Sequence, residues 1–376
     1  MLTILAISAL RGRNRCLPKS EAVRSADVDS EKRPIAVLVD REGLGDALLK
    51  LPFLRAVRRA FPGRPLWWIA THQTSMAHEM APWVAGLIDR TVEYAGLTEP
   101  AGEIIPRLRA LPPFDLVFDS RTRFATVLLA RMLLSHRGFY ACLPGYVLST
   151  RRPPGRFTRP DNIAQRMLSL AEAAIGQPAD ARGEFKLSAN VEQFAASVLP
   201  AGRIYVGLAT GSREARKNWP TANFVALAMR LERAGLTPVF LIGPQEGELV
   251  DALRAKVPSA LFPEADPIDP ALQPRPLELA MAIGRRLAAA VANDSGIGHL
   301  LGILGTPLVS LFGPTDPARW RPFTSAGILI RAQDFGGEAM EAIPVDPVFA
   351  AVNQLISSSS WPSSAGAVPT RARGEG

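Results

Sequence analysis

Short apolar runs alternate along this chain with longer segments whose apolar positions recur every three to four residues. "PIAVLVD" (34–40) reads as a buried strand, and "GDALLKLPFLRAVRRAF" (45–61) follows with helical spacing broken only by Pro52. The runs at 65–71, 114–120 and 136–141 read as further strands, with a helix over 122–133 between the last two. "TRRPPGRFTRP" (150–160) is a loop by its prolines, and 161–176 is a helix ended by Gly176. The alternation then restarts. Strands are predicted at 203–210, 237–243, 286–294 and 306–313. Helices are predicted over 221–235 with Thr221 as N-cap, over 245–257 and 276–284, and from 298 onward.

Strands that are apolar on both faces and separated by helices belong to parallel sheets covered on both sides. Two such series, split near residue 185, predict an α/β chain of two facing Rossmann-like domains with a cleft between them. The expected bounds are 34–185 and 186–356, after a leader at 1–33 and before a tail at 357–376 of disordered composition.

Composition narrows the class. The 376 residues, 47% hydrophobic and 21% charged, fit two soluble domains of ordinary size. No apolar run approaches the ~20 residues needed to span a bilayer. The charges of the leader follow its apolar stretch, the reverse of a secretory signal. Two distant cysteines, Cys16 and Cys142, disfavour a disulfide framework and fit a reducing cytoplasm. Residues 1–200 carry the whole net charge of +8, while 201–376 are neutral. An anionic partner for the first half is therefore expected, such as nucleic acid, a phosphorylated substrate or an anionic membrane surface. A G+C-rich genome would also enrich arginine. Nucleic acid is disfavoured, because no recognisable binding module accompanies the charge.

In open parallel sheets, ligands bind beyond the carboxyl ends of the strands. Four glycine-rich or charged stretches lie just there: "REGLGDALL", "GSREARKNWP", "NDSGIGH" and "GPTDPARW". Ser295 and Gly296 stand where a helix begins behind a strand. Free N–H groups and the helix dipole favour an anion there, and glycine lets a phosphate approach closely. Asp294 repels phosphate but accepts hydrogen bonds from sugar hydroxyls. The set suits a nucleoside diphosphate carrying a sugar, whereas the plainer reading is helix capping by Asp294 or Ser295. His299 alone reads more readily as a packing residue than as a ligand. Ser212 with Arg213, Arg216 and Lys217 suits a diphosphate too, or is simply a solvated basic loop. Asp46 opens the helix after the first strand, as a cap or as a general base. Gly43 and Gly45 lack the third glycine of a dinucleotide fingerprint, and neither a P-loop nor a G-x-S-x-G occurs. No His or Cys pair has metal spacing, and the Asp-Val-Asp at 27–29 lies in the leader.

"GLGDALLKLPFLRAVRRAFPG", "RKNWPTANFVALAMRL" and "NDSGIGHLLGILGTPLVSLFGPTDPARW", in this order, resemble the heptosyltransferases of glycosyltransferase family 9 from about Pro34 to Leu355. The resemblance implies the GT-B fold and an inverting transfer without metal or other cofactor. It implies ADP-heptose as donor and a lipopolysaccharide-core-type acceptor, an anionic saccharide or glycolipid, held at the inner face of the cytoplasmic membrane. Carried over by position, Asp46 is the base. Lys217 and Ser212 bind the diphosphate, Asp294 contacts the donor sugar, Ser295 and Gly296 form the phosphate turn, and His299 follows it. Gly45, Arg121 and Arg123 are candidates on the acceptor side, with Asp119 as the reserve base. The chain departs from the family at "SRTRFAT", where a Gln-Gly pair is usual, and at Asn162, near a usual His. "SGIGHL" has Ile297-Gly298 where a Pro and an apolar residue are usual. A different nucleotide sugar, or a catalytically idle GT-B module in surface-polysaccharide assembly, stays open.

Overall fold

Ile35–Val39 forms a strand, β1, with every side chain buried, as its unbroken apolar run requires. In the computed structural model the described residues are 33–98, 100–243, 246–266 and 275–358. Cys16, the Asp-Val-Asp triplet and the tail from 359 lie outside the described residues. After β1 come α1 (Leu44–Ala60), β2 (Leu66–Ala70), α2 (Ala81–Val84), β3 (Arg90–Val92) and α3 (Ala101–Arg109). The first half closes with β4 (Phe114–Asp119), α4 (Phe124–Leu133), β5 (His136–Ala141) and α5 (Ile163–Ile175). All its strands are parallel, in the order β3-β2-β1-β4-β5.

The second half repeats the plan. It begins with α6 (Ala189–Val198), β6 (Tyr205–Ala209), α7 (Thr221–Arg233), β7 (Thr237–Leu241), α8 (Val250–Lys256) and α9 (Pro276–Gly284). It continues with β8 (Ala289–Asn293), α10 (Gly296–Leu304), β9 (Leu308–Phe312), α11 (Pro317–Trp320), β10 (Gly327–Arg331) and α12 (Val345–Ser358). Its sheet is also parallel, ordered β10-β9-β8-β6-β7.

The predicted strands are found, and α1 runs through Pro52 unbroken. Thr221 is the first helical residue of α7, and the cap position is held by Pro220, which has no side-chain acceptor to offer. Packing joins the halves. Ala280 and Met281 of α9 and Leu300 of α10 share one buried cluster with Ala47, Leu51 and Met167 of the first half. α1 and α10 touch directly.

Candidate functional site

The starts of α1 and α10 meet across the cleft. A Cβ on Gly45 would stand 3.0 Å from His299 Cδ2 and 3.7 Å from the Gly296 Cα. Each helix follows a central strand, β1 or β8, so the carboxyl ends of the two sheets face a common space.

On the second-half side, Asn293 at the end of β8 organises the loop after β6. Its Oδ1 accepts from the Trp219 N–H at 3.0 Å, and its Nδ2 donates to the Thr210 carbonyl at 2.7 Å. Trp219 is buried, packs edge-on to Phe224 and donates its indole N–H to the Ile343 carbonyl at 2.9 Å. This anchor carries Lys217 to Asp294, with Nζ 3.1 Å from Oδ2. Asp294 is buried and Lys217 half-buried. Glu214 lies 3.4 Å from the same Nζ.

Ser295 caps α10, its hydroxyl oxygen accepting from the Gly298 N–H at 3.4 Å. The capping reading thus holds for Ser295, and its O–H keeps a proton to donate. The first N–H groups of α10, at Gly296 and Ile297, have no partner within the helix. His299 is buried, with Nε2 3.9 Å from Asp294 Oδ1 and with Nδ1 lacking a hydrogen-bond partner among the described residues. Burial pushes the imidazole below its usual pKa, against the pull of Asp294 and Asp46, and Lys217 adds to the lowering. The ring is therefore neutral near pH 7. Ser212 donates its hydroxyl proton to the Glu214 carbonyl at 2.8 Å. Arg213 is exposed and reaches the first half, its Nη2 3.4 Å from where a Cβ on Gly43 would lie.

On the first-half side, Gly43 is the N-cap of α1 and no side chain caps that helix. Asp46, in its first turn, is half-buried and makes no hydrogen bond or ion pair among the described residues. One turn further along the helix, Lys50 is buried against Glu42, at 2.5 Å. Glu42 also accepts from Trp68 Nε1 at 3.1 Å and from the Thr74 hydroxyl at 2.5 Å. Burial opposes the Lys50 charge, but Glu42 and Asp46 outweigh it and the pKa is raised. This pair escaped the sequence reading. Its one signal is a lysine inside the apolar run "ALLKLPFL".

The arrangement is a half-buried lysine paired with a buried carboxylate at the Ser295-capped start of α10, facing the Asp46 carboxylate at the start of α1. Residues 111–339 match the family described as glycosyltransferase family 9 (heptosyltransferase). The chain belongs to glycosyltransferase family 9. A lipopolysaccharide heptosyltransferase 1 of Pseudomonas aeruginosa is 28% identical over 302 residues, covering 75% of this chain and 79% of that one. A lipopolysaccharide heptosyltransferase 3 of Escherichia coli is 28% identical over 183 residues, 42% of this chain and 48% of that one. The chain spans about half the length of most of the curated relatives it matches. Among solved structures, a family 9 glycosyltransferase from Veillonella parvula superposes with a TM-score of 0.59 at 20% identity, covering 86% of this chain and 97% of that one. The Escherichia coli heptosyltransferase WaaC with ADP gives 0.58 at 17%, covering 85% and 99%. The family 9 fold is thus the GT-B pair of parallel sheets expected above.

Within this family 9 chain, Arg121 and the reserve base Asp119 are bound to each other. Arg121 is buried, with Nε 2.8 Å and Nη2 2.7 Å from the two carboxylate oxygens of Asp119. Its Nη1 donates to the Leu97 carbonyl at 2.6 Å. The pair is an internal tie, so in this structure neither side chain presents a free charge. Arg123 is exposed at the start of α4. Asn162 caps α5 and donates across to the Arg321 carbonyl at 2.9 Å, so it bridges the halves. Sequence reading also missed two carboxylates near the ends of β6 and β7. Glu246 accepts from the Thr210 hydroxyl at 2.6 Å and the Gly243 N–H at 3.0 Å. Glu264 accepts from the Ile242 N–H at 3.0 Å, and burial, with Glu246 adding to it, pushes its carboxyl up to about 7.

Proposed function

We propose that this chain transfers a heptose from ADP-heptose to a lipopolysaccharide-core-type or related anionic acceptor, with inversion and without a metal ion. The observation that carries the reading is the Lys217–Asp294 pair at the start of α10, set across the cleft from the unpaired carboxylate of Asp46. Family membership supports heptosyl transfer, and WaaC has been solved with ADP and with ADP-2-deoxy-2-fluoro heptose.

In this reading the donor diphosphate lies on Lys217, the Ser295 hydroxyl, the first amides of α10 and Ser212, whose O–H turns from the Glu214 carbonyl to the phosphate. These donors meet the charge that grows as the diphosphate leaves. Asp294 accepts from the sugar hydroxyls. Neutral His299 fills the space under the sugar without adding charge. Asp46 takes the proton of the acceptor hydroxyl, a step worth typically about 10²–10⁴-fold. The hydroxyl oxygen then bonds to the anomeric carbon on the face opposite the departing diphosphate, so one displacement inverts the centre. Among the described residues no cluster of three or more His, Cys, Asp or Glu is placed to hold a metal. The acceptor belongs at the cytoplasmic face of the inner membrane. Among the described residues no helix is long and apolar enough to cross a membrane.

A melting panel with ADP, UDP and GDP in EDTA tests the donor. ADP is expected to stabilise most, by about 2.7 kcal/mol at 100 Kd. A larger shift with UDP or GDP would assign another nucleotide sugar, and no shift with any of them would remove the donor site.

A further inference from the structure

The stretch from 120 to 160 holds eight arginines and no aspartate or glutamate. It contains α4, β5 and the loop that leads to α5. β5 is the edge strand of the first sheet. Arg123 and Phe124 begin α4 just past the end of β4, and Val147 lies just past the end of β5. The loop then turns back along the free side of β5, where the Thr150 N–H donates to the Phe139 carbonyl at 2.7 Å. Arg159 brings it up again, donating to the Cys142 carbonyl at the end of the strand. The segments that follow the neighbouring strands β4 and β5 thereby carry Phe157 at 75% exposure, Phe124 at 55% and Val147 at 49%. Exposed Arg123, Arg152 and Arg156 stand among them, and none makes an ion pair among the described residues. Tyr146 and Leu148, on either side of Val147, both have positive φ, at 56° and 69°. Non-glycine residues adopt that conformation only when something holds them there, and here it turns an aliphatic side chain out to solvent.

Single exposed apolar residues are ordinary. Several on the segments that follow two adjacent strands, set among unpaired arginines with no carboxylate in the same stretch of sequence, are not. We propose that these segments dock on a bilayer rich in anionic lipid headgroups. The arginines meet the headgroups, and Phe157, Phe124 and Val147 enter the boundary with the acyl chains. The place fits transfer to a lipid-borne sugar, and in that respect rests on the reading above. Strands lie ~4.8 Å apart, so the end of β5 is roughly 10 Å from the end of β1, which leads into Asp46.

The test uses the full chain and sedimentation with vesicles of phosphatidylglycerol and phosphatidylethanolamine, beside vesicles of phosphatidylcholine. Binding is expected to favour the anionic vesicles and to weaken with salt. The triple variant Arg152→Ser, Arg156→Ser, Phe157→Ser changes exposed loop residues only. Each arginine near an anionic surface is worth about fivefold, so the variant is expected to lose about 25-fold or more in vesicle affinity. Its melting temperature and its transfer to a water-soluble, acyl-free saccharide stay normal. Equal binding to both vesicle types, wild-type binding by the variant, or binding to an oligonucleotide through these residues in place of vesicles would overturn the proposal. The two readings separate cleanly. A chain that ADP stabilises but that ignores anionic vesicles loses the docking surface alone. A chain that docks through these segments but responds to no nucleoside diphosphate keeps the surface and loses the transferase reading.

Discussion

Asp46 and Asp294 are both carboxylates near the start of a helix, yet they are held in opposite ways. Asp294 is buried and clamped by Lys217, while Asp46 is half-buried and unpaired. The difference separates their variants. Asp46→Asn removes a proton acceptor and no structural bond, because Gly43 holds the cap position of α1. Its kcat is expected to fall by roughly 100-fold or more, with ADP affinity and melting temperature near wild type. Near-normal transfer would return Asp46 to an ordinary surface residue. Lys217→Met behaves differently, since it leaves the Asp294 carboxylate buried without a counter-charge. Both ADP affinity and stability are expected to drop, the latter by about 1–3 kcal/mol. Asp294→Asn keeps the shape and weakens the binding of the sugar nucleotide more than that of ADP. Titrations with both ligands, beside melting curves, check the pair. These residues were legible in the sequence because each lies beside glycine or a basic cluster at a strand end. Arg121 was legible as a candidate for the same reason. It lies just past a strand end too, and only the burial of its partner Asp119 reveals a structural tie.

Strands were legible where burial runs along most of their length, edge strands β5 and β7 included. β1, β6, β8 and β9 are buried along their whole length and read as unbroken apolar runs. β3, with three residues, and β10, with alternating exposure, lie at sheet edges and carry too little pattern to be found. The loop after β6 owes its shape to Asn293, whose two bonds join residues far apart in sequence. Asn293→Ala strands the Trp219 N–H and the Thr210 carbonyl, at a cost of roughly 2–5 kcal/mol in denaturant unfolding. Weaker ADP binding is expected with it, as Lys217 drifts from Asp294. Glu264, near the end of β7, gives a pH signature. With its carboxyl raised to about 7, the folded chain binds more protons than the unfolded chain between the ordinary value near 4.5 and 7. Its contribution is fully present below that lower value and is lost as pH rises through 7. Glu264→Gln still accepts from the Ile242 N–H and does not ionise. The variant should melt higher than wild type at pH 8 and show no such advantage at pH 5. Equal melting at both pH values would mean that the carboxyl is not raised.

At the scale of the whole molecule, the proposed chemistry needs both halves at once. The donor groups belong to the second sheet and the base to the first, and the contact that sets their spacing is Gly45 against His299. The missing side chain at Gly45 lets the two helix starts approach. Gly45→Val puts a wedge at that contact, where even a Cβ would lie 3.0 Å from the imidazole. ADP touches only the second half in the proposed mode, so its affinity should survive. Transfer should not, because a displacement of about 1 Å at the reacting atoms can cost 10²-fold. The gap would also admit water. A chain wedged open in this way should therefore become wasteful, splitting its sugar nucleotide without passing the sugar on. The ratio of free sugar to product then becomes a ruler for the distance between the halves.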